Sequence, residues 1–417
     1  MKAAKIRYTF CVIFLVLAAP AFLSADLHAS NPSLGAKAAS MATAFVAIAD
    51  DPSAILHNPA GLTVLQGTQV YGGMTGVNIS TKYESLSGAS EKSKPHTFIV
   101  PNMFITSDFN QKDMMFGLGI FSPYGIGGRT YSDWGLTRYV STESFIGTVA
   151  INPTFSWRPT PTFSFGVGVD YVFAKGNSKR MVDQSALGAH DGKFEFEGNG
   201  GGWGFNIGLL YALTEKINLG LTYRSRVDVK QCGTIKLEGI APPLRPLFGG
   251  AAYETDAETT LHFPDNISLG IAFRPTEKWT IAMDVEWYDW RRFSKSSLDI
   301  EREVPAAGFT DASVDLGWKY QWFFKLGVEY ALQKDLFLRG GYLYGISPVP
   351  DRTLSPDNPD SNQHNFAFGI GYKIGKITLD GFYNAGLNVD RSVNNAILSG
   401  KYKNIIHSFG INLGQRF

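Results

Sequence analysis

Reactive side chains at workable spacing are few in this chain of 417 residues. Its seven histidines (His28, His57, His96, His190, His262, His364 and His407) are scattered and share no metal-ligand spacing with each other or with cysteines. No G-x-S-x-G elbow sets a serine beside a base, so a barrel lipase would lack its catalytic set. Glycine clusters such as GIGYKIG (369 to 375) sit inside strand patterns, without the strand-to-helix context of a phosphate loop. Of two cysteines, Cys11 and Cys232, only the second lies outside the N-terminal apolar run, so no internal disulfide is expected. These observations argue against an enzyme, a metal centre or a cofactor. What remains is chemistry of binding and of broken regular structure: Asn58-Pro59-Ala60, Phe121-Ser122-Pro123-Tyr124-Gly125, and an apolar loop at 239 to 253.

The first of these ends a short helical reading. In IADDPSAILHNPAGL (48 to 62), Asp51 suits a helix N-cap and Pro52 the first helical position, while Asn58 before Pro59 is pushed out of the α region. Upstream, Ala36, Ala38, Ala39, Ala42, Ala44 and Ala47 form a small-residue stretch of helical character. In the loop GIAPPLRPLFGGAAY, Ile240, Leu244, Leu247 and Phe248 accompany a single charge, Arg245. Exposed apolar groups in such number mark binding surfaces, or pack against neighbouring loops.

The elements that must position these residues are strands. Residues 1 to 25 read as a secretory signal peptide, with cleavage as late as 29: Lys2, Lys5 and Arg7 precede an apolar run, and Ala25 and Ala29 offer cleavage points. A membrane anchor would need about 20 uninterrupted apolar residues, and Pro20, Ser24 and Asp26 interrupt this run. The chain is 44% hydrophobic and 13% aromatic but only 18% charged, with 45 glycines and net charge +1. That balance offers no surplus for a polyanion, so nucleic acid is excluded as a partner.

Period-two alternation recurs throughout. In TFSFGVGVDYVFA (162 to 174) Phe163, Phe165, Val167, Val169, Tyr171 and Phe173 take one parity and Ser164, Gly166, Gly168 and Asp170 the other. Aromatics bracket the apolar stripe, as in the girdles of an outer-membrane barrel rather than a soluble sandwich. Strands are expected near 68–83, 96–107, 113–121, 139–158, 162–175, 198–213, 216–231, 257–274, 278–292, 315–331, 335–346, 363–374, 376–389 and 402–417. Short links such as RPTPT and LTEK alternate with long ones, which places both termini in the periplasm. Arg224, Lys325 and Lys373 fall on the inward parity, away from lipid. The fold class expected is all-β: a 14-stranded antiparallel transmembrane β-barrel in the bacterial outer membrane.

With SLGAKAASMATAFVAIADDPSAILHNPAGL, VPNMF (100 to 104), FSPYGIGG (121 to 128), INPTFSW (151 to 157), LTYRS (221 to 225) and SPVPDRTLSPDNPD (347 to 360), the chain resembles the FadL family of outer-membrane transporters for long-chain fatty acids and other hydrophobic compounds. The resemblance implies three regions: the signal peptide, an N-terminal, partly helical hatch over 26 to 67 lying in the lumen, and the barrel over 68 to 417. It implies that Asn58, Pro59 and Ala60 match the hatch motif. It implies a lateral opening at Phe121 to Gly125, where the third strand kinks; proline removes a ladder donor there, and an ordinary loop start is the alternative. Ligand capture would fall to the apolar loop with Leu244, Leu247 and Phe248, and a ligand-facing base to Arg180, which otherwise reads as a solvated loop arginine. The family's second basic position falls near Ser297, with Lys295 close by, a departure that leaves room for a neutral hydrocarbon. Partners implied are hydrophobic small molecules (fatty acids, hydrocarbons, detergent), outer-membrane lipid and the barrel assembly machinery, for a monomer. A general porin is the competing function.

Overall fold

The computed structural model describes residues 33–417; the expected signal peptide and the start of the expected hatch lie outside the described residues. Fourteen antiparallel strands close into one ring. They are β1 (Gln69–Ser85), β2 (Thr97–Ser107), β3 (Met114–Phe121, resuming as Ile126–Thr130), β4 (Glu143–Thr160), β5 (Phe163–Val182), β6 (Gly192–Ala212) and β7 (Ile217–Arg224, resuming as Val227–Glu238). There follow β8 (Ala252–Phe263, resuming as Asn266–Thr276), β9 (Trp279–Asp289, resuming as Lys295–Ile300), β10 (Tyr320–Gln333, preceded by Ala312–Asp315), β11 (Leu336–Ile346), β12 (Gln363–Ile374), β13 (Ile377–Asn388) and β14 (Gly400–Arg416). Each strand pairs with its sequence neighbour, and β1 pairs with β14 along its whole length, from Gln69↔Arg416 to Ser85↔Gly400.

The parity read from the sequence is the parity of the walls. Outward positions carry Trp203, Phe368 and Ile411, each more than half exposed, while the inward positions of the same strands mix Gly, Ser and Asn with buried apolar groups such as Phe194, Phe196 and Tyr402. Arg224 and Lys325 are buried inside, and Lys373, inward by parity, lies over the Phe337 ring at 4.9 Å. Strands β5 and β6 run further than expected, to Val182 and from Gly192. At 20 and 21 residues they are twice the roughly 10 needed to span a bilayer, so their tops stand above the lipid. There the outward side chains are ion pairs, Lys175–Glu197 and Lys179–Glu195, and in β6 the apolar parity is inverted, with Phe194 and Phe196 turned inward.

Residues 33 to 64 thread the interior. Helix α1 (Ala36–Ser40) and helix α2 (Ala54–His57) are each about one turn, and a 3₁₀ segment follows at Pro59–Val64. The alanine stretch is not one continuous helix: Ala42 (φ 52°) and Thr43 (φ 58°) turn left-handed. Polar wall groups hold that turn, since Asp284 accepts from the Phe45 and Val46 N–H at 2.7 and 3.0 Å and Lys325 Nζ donates to Thr43 Oγ1 at 2.8 Å. Nor does Asp51 cap a helix. Its Oδ1 accepts from the backbone N–H of Ser53 at 2.8 Å in an Asx turn, and Ser53 is the N-cap residue, one position after Pro52.

Room for this segment comes from wall glycines. A Cβ on Gly166 would stand 2.4 Å from the Pro59 carbonyl carbon, on Gly208 2.1 Å from Asn58 Oδ1, on Gly220 2.3 Å from the Val46 oxygen, and on Gly369 2.2 Å from Ser40 Cβ. Interior backbone therefore rests directly on wall backbone. Gly166→Ala should lower the temperature at which the barrel loses its folded mobility on SDS gels, by an overpacking cost of about 1–3 kcal/mol. Gly72→Ala, whose Cβ meets nothing nearer than 3.6 Å, should leave that temperature unchanged.

Candidate functional site

Two of the stretches singled out by sequence, Asn58-Pro59-Ala60 and Phe121 to Gly125, converge on one level of the interior. Asn58 is fully buried in an extended conformation (φ −155°) that no helix can continue through. Its amide donates to the Val46 oxygen at 2.7 Å and to the Leu209 oxygen of β6 at 3.1 Å, while its Oδ1 accepts from Ala60 N–H at 3.1 Å. Pro59 cannot donate, and its carbonyl accepts from Ser156 Oγ of β4 at 2.6 Å. One asparagine thus ties two passes of the interior segment to the wall.

Beside it, β3 breaks. The β3–β4 ladder is regular to Phe121↔Ala150 and resumes at Ile126↔Gly147, so Ser122, Pro123, Tyr124 and Gly125 stand against only Thr148 and Val149. Pro123 has no N–H for the ladder, and Gly125 takes φ +81°, where a side chain would be strained. Thr148 closes the bulge on its own side, donating to the Gly125 oxygen from its N–H at 3.1 Å and its Oγ1 at 3.0 Å. On the other side the β2–β3 ladder stops at Met103↔Ile120, and Thr97 to Asn102 of β2 have no β3 ladder partner among the described residues. A bond from Lys94 N–H to the Thr130 oxygen at 2.7 Å spans the top of this gap. The result is a framed interruption of the wall.

The bulge sends its own side chains inward. Tyr124 stacks on Phe263 of β8, ring centroids 4.2 Å apart and planes within 10°. Phe121 stacks on Phe104 at 5.7 Å, and Ser122 Oγ lies 3.1 Å from Thr148 Oγ1. Below Tyr124 is a polar cavity of about 50 Å³ lined by Leu56, His57, Pro123, Arg224, Glu286 and Tyr288, among others. Arg224 joins the parts: it pairs with Asp170 of β5, donates to the Leu56 oxygen at 3.1 Å and lies over the Phe121 ring at 5.8 Å. Burial pushes His57 down to about 4, so its ring is neutral near pH 7 and its Nε2, 3.0 Å from the Leu34 oxygen, carries the proton.

Other candidates lie apart from this level. Arg180 is in β5 rather than in a loop, 3% exposed, with its guanidinium 5.1 Å from the Phe194 ring centroid. Lys295 and Ser297 point outward and add no base to the interior. In the apolar loop, Ile240, Leu244 and Phe248 are buried, Phe248 against Tyr253 and Phe309, while Leu247 is exposed beside Arg245 and the prolines. Sequence reading did not find the interior charge network on the far wall: Arg339 with Glu329 and Asp380, each at 2.6 Å, and Lys37 with Asp50 at 2.8 Å. Its signal in the sequence is the inward parity that Glu329, Arg339 and Asp380 share in their strands. These residues border a cavity of about 560 Å³ with Asp51, Lys373 and Arg416. Among the described residues no group of histidines, cysteines and carboxylates could hold a metal ion.

Comparison with known proteins fits this construction. The family described as outer membrane protein transport protein (OMPP1/FadL/TodX) matches residues 15–417. The long-chain fatty acid transport protein of Escherichia coli O6:H1 is 26% identical over 361 residues, covering 78% of each chain. Outer membrane protein P1 of Haemophilus influenzae is 23% identical over 79% of this chain and 78% of its own. The crystal structure of a Pseudomonas aeruginosa FadL homologue superposes with a TM-score of 0.79 at 17% identity, over 94% of this chain and 98% of that one. The Pseudomonas putida toluene transporter TodX gives 0.75 at 20% identity, over 92% and 98%. The chain therefore belongs to the OMPP1/FadL/TodX family of outer-membrane transport proteins.

Proposed function

We propose that this chain is an outer-membrane uptake channel for hydrophobic molecules, fatty acids or hydrocarbons, which takes ligand at its extracellular loops and releases it sideways at the third strand. The observation that carries the reading is the interruption at Ser122 to Gly125, where four residues oppose two and the β2 edge is left without its neighbour. Elsewhere in lipid such an edge is costly. Here Phe104, Phe121 and Tyr124 lie buried behind it. Relatives named for long-chain fatty acid and for toluene transport support the class of ligand.

Residues 26 to 67 serve as the hatch, with Asn58, Pro59 and Ala60 as its anchor. A general porin fits poorly, because interior backbone packs directly against wall glycines of β5, β6, β7 and β12. In planar bilayers the purified protein should be nearly silent, whereas a porin would conduct steadily. Leu247 is the exposed apolar contact of the capture loop, with Leu244 and Phe248 buried behind it. Arg180 supplies a buried cation for a carboxylate. The protein works as a monomer in contact with outer-membrane lipid, after insertion by the barrel assembly machinery.

Two substitutions test the path. Ser122→Arg should stop uptake while ligand still binds and the folded gel mobility persists; a normal transport rate in that variant removes the lateral exit. Arg180→Ala should weaken binding of a long-chain carboxylate about ten- to a hundredfold, the worth of one charged hydrogen bond of about 1.5–3 kcal/mol, and leave toluene binding unchanged. Equal losses for both ligands would deny Arg180 a role in reading charge.

A further inference from the structure

On the outer face of the barrel, three lysines stand in one cross-strand row. The short strand Ser90–Lys92 pairs with β1 and β1 with β14, and the register sets Lys92 opposite Lys82 and Lys82 opposite Lys403. Lys82 and Lys403 share the outward parity of Met74 and Ile411, which are exposed to lipid, and Lys92 shares it by pairing. Like charges directly opposite one another destabilise a sheet. The carboxylates nearby compensate only in part: Lys82 reaches Glu84 at 3.1 Å, Lys403 reaches Asp390 at 3.9 Å, and Asp390 is closer to Lys401, at 3.0 Å. Four lysines against two acids leave this patch positive, and Lys92 is exposed at its edge.

The height of the row identifies what meets it. Outward on β14 lie Leu413, Ile411, Phe409, His407, Ile405 and then Lys403. Ten residues separate Leu413 from Lys403, about 33 Å along a strand and about 25 Å along the membrane normal at a tilt near 40°. That is the thickness of the apolar band, so the row sits at the headgroup level of the outer leaflet, on the side of the long loops. We propose that the Lys92, Lys82 and Lys403 row binds the phosphate groups of a phosphorylated glycolipid of the outer leaflet, whose acyl chains lie along Ile405, Phe409 and Ile411 below. The proposal rests on the outer-membrane location alone and is independent of what the protein transports. Phosphate would turn a repulsive row into a charge-assisted one. It would also fix a lipid on the wall formed by β14, β1 and β2, the strand whose free edge frames the gap.

The test uses the full chain purified in nonionic detergent and native mass spectrometry. The probes are a diphosphorylated hexa-acyl disaccharide lipid and its dephosphorylated counterpart. The parent should bind the diphosphorylated lipid selectively, and the triple variant Lys82→Gln, Lys92→Gln, Lys403→Gln should lose about a hundredfold in affinity, three lysines near a charged surface acting together. A control variant, Lys175→Gln, Lys230→Gln, Lys236→Gln, changes outward lysines that already pair with glutamates and should bind as the parent does. Without lipid, the first triple variant should be at least as heat-resistant as the parent, because repulsion within the row is relieved. Equal binding of the two lipids, undiminished binding by the first triple variant, or an equal loss in the control would each overturn the assignment. So would a first triple variant that is less heat-resistant in lipid-free detergent.

Discussion

Lipid offers no hydrogen bonds, and every other feature of this protein answers to that constraint. A strand edge in the bilayer must find another strand. The chain meets the requirement by bringing its last strand to its first, β14 to β1, in unbroken register, and the terminal Phe417 N–H reaches back to the Thr68 oxygen at 2.9 Å. Closure turns the apolar parity outward and forces every polar side chain of the alternate parity into a shared interior. The interior therefore holds buried polar wall groups among its apolar ones, and whatever fills it must satisfy them rather than merely occupy volume.

The segment from 33 to 64 does this with its backbone. Its N–H and C=O groups meet Asn412, Asp284, Asn206, Arg224 and Ser156, one from each of five strands. A regular helix would have consumed those groups internally. This explains why an alanine-rich stretch with good helix propensity is folded into single turns with left-handed residues: wall hydrogen bonds and close backbone contact outweigh the few tenths of a kcal/mol per residue that propensity offers. Glycine on the walls is the complement of alanine inside, and the abundance of both in the sequence has one cause.

That division decides what could be read in advance. Period-two alternation made the fourteen strands, the inward bases Arg224 and Lys325 and the alternation of short and long links legible, because side-chain parity is a local property. Proline and glycine marked the break in β3 for the same reason. The width of the break, and the swing of Tyr124 across the lumen onto Phe263, depend on a strand more than a hundred residues away and leave no local trace. For Leu244 and Phe248 the sequence left a binding surface and packing against neighbouring loops both open; both are buried, Phe248 against the nearby Tyr253 and the distant Phe309. Strand ends at Val182 and Gly192 were missed where charged pairs replaced the apolar stripe.

The break in β3 is tolerable only because the interior is already full. An unpaired edge between β2 and β3 would admit water into an open barrel, and the neighbouring ladder bonds would compete with it. Here Phe104, Phe121 and Tyr124 cover the gap from within, and Arg224 holds that cover against both the wall at Asp170 and the interior segment at Leu56. Anchor, cover and gap are therefore one mechanical unit. Removing the arginine would leave the Asp170 carboxylate buried without its cation, held by the Asn152 amide, at a cost of about 3–5 kcal/mol, and that cost would fall on the cover and on the anchor together. For the lateral exit proposed above this coupling matters, because a gap that could relax independently of the interior segment would be a leak.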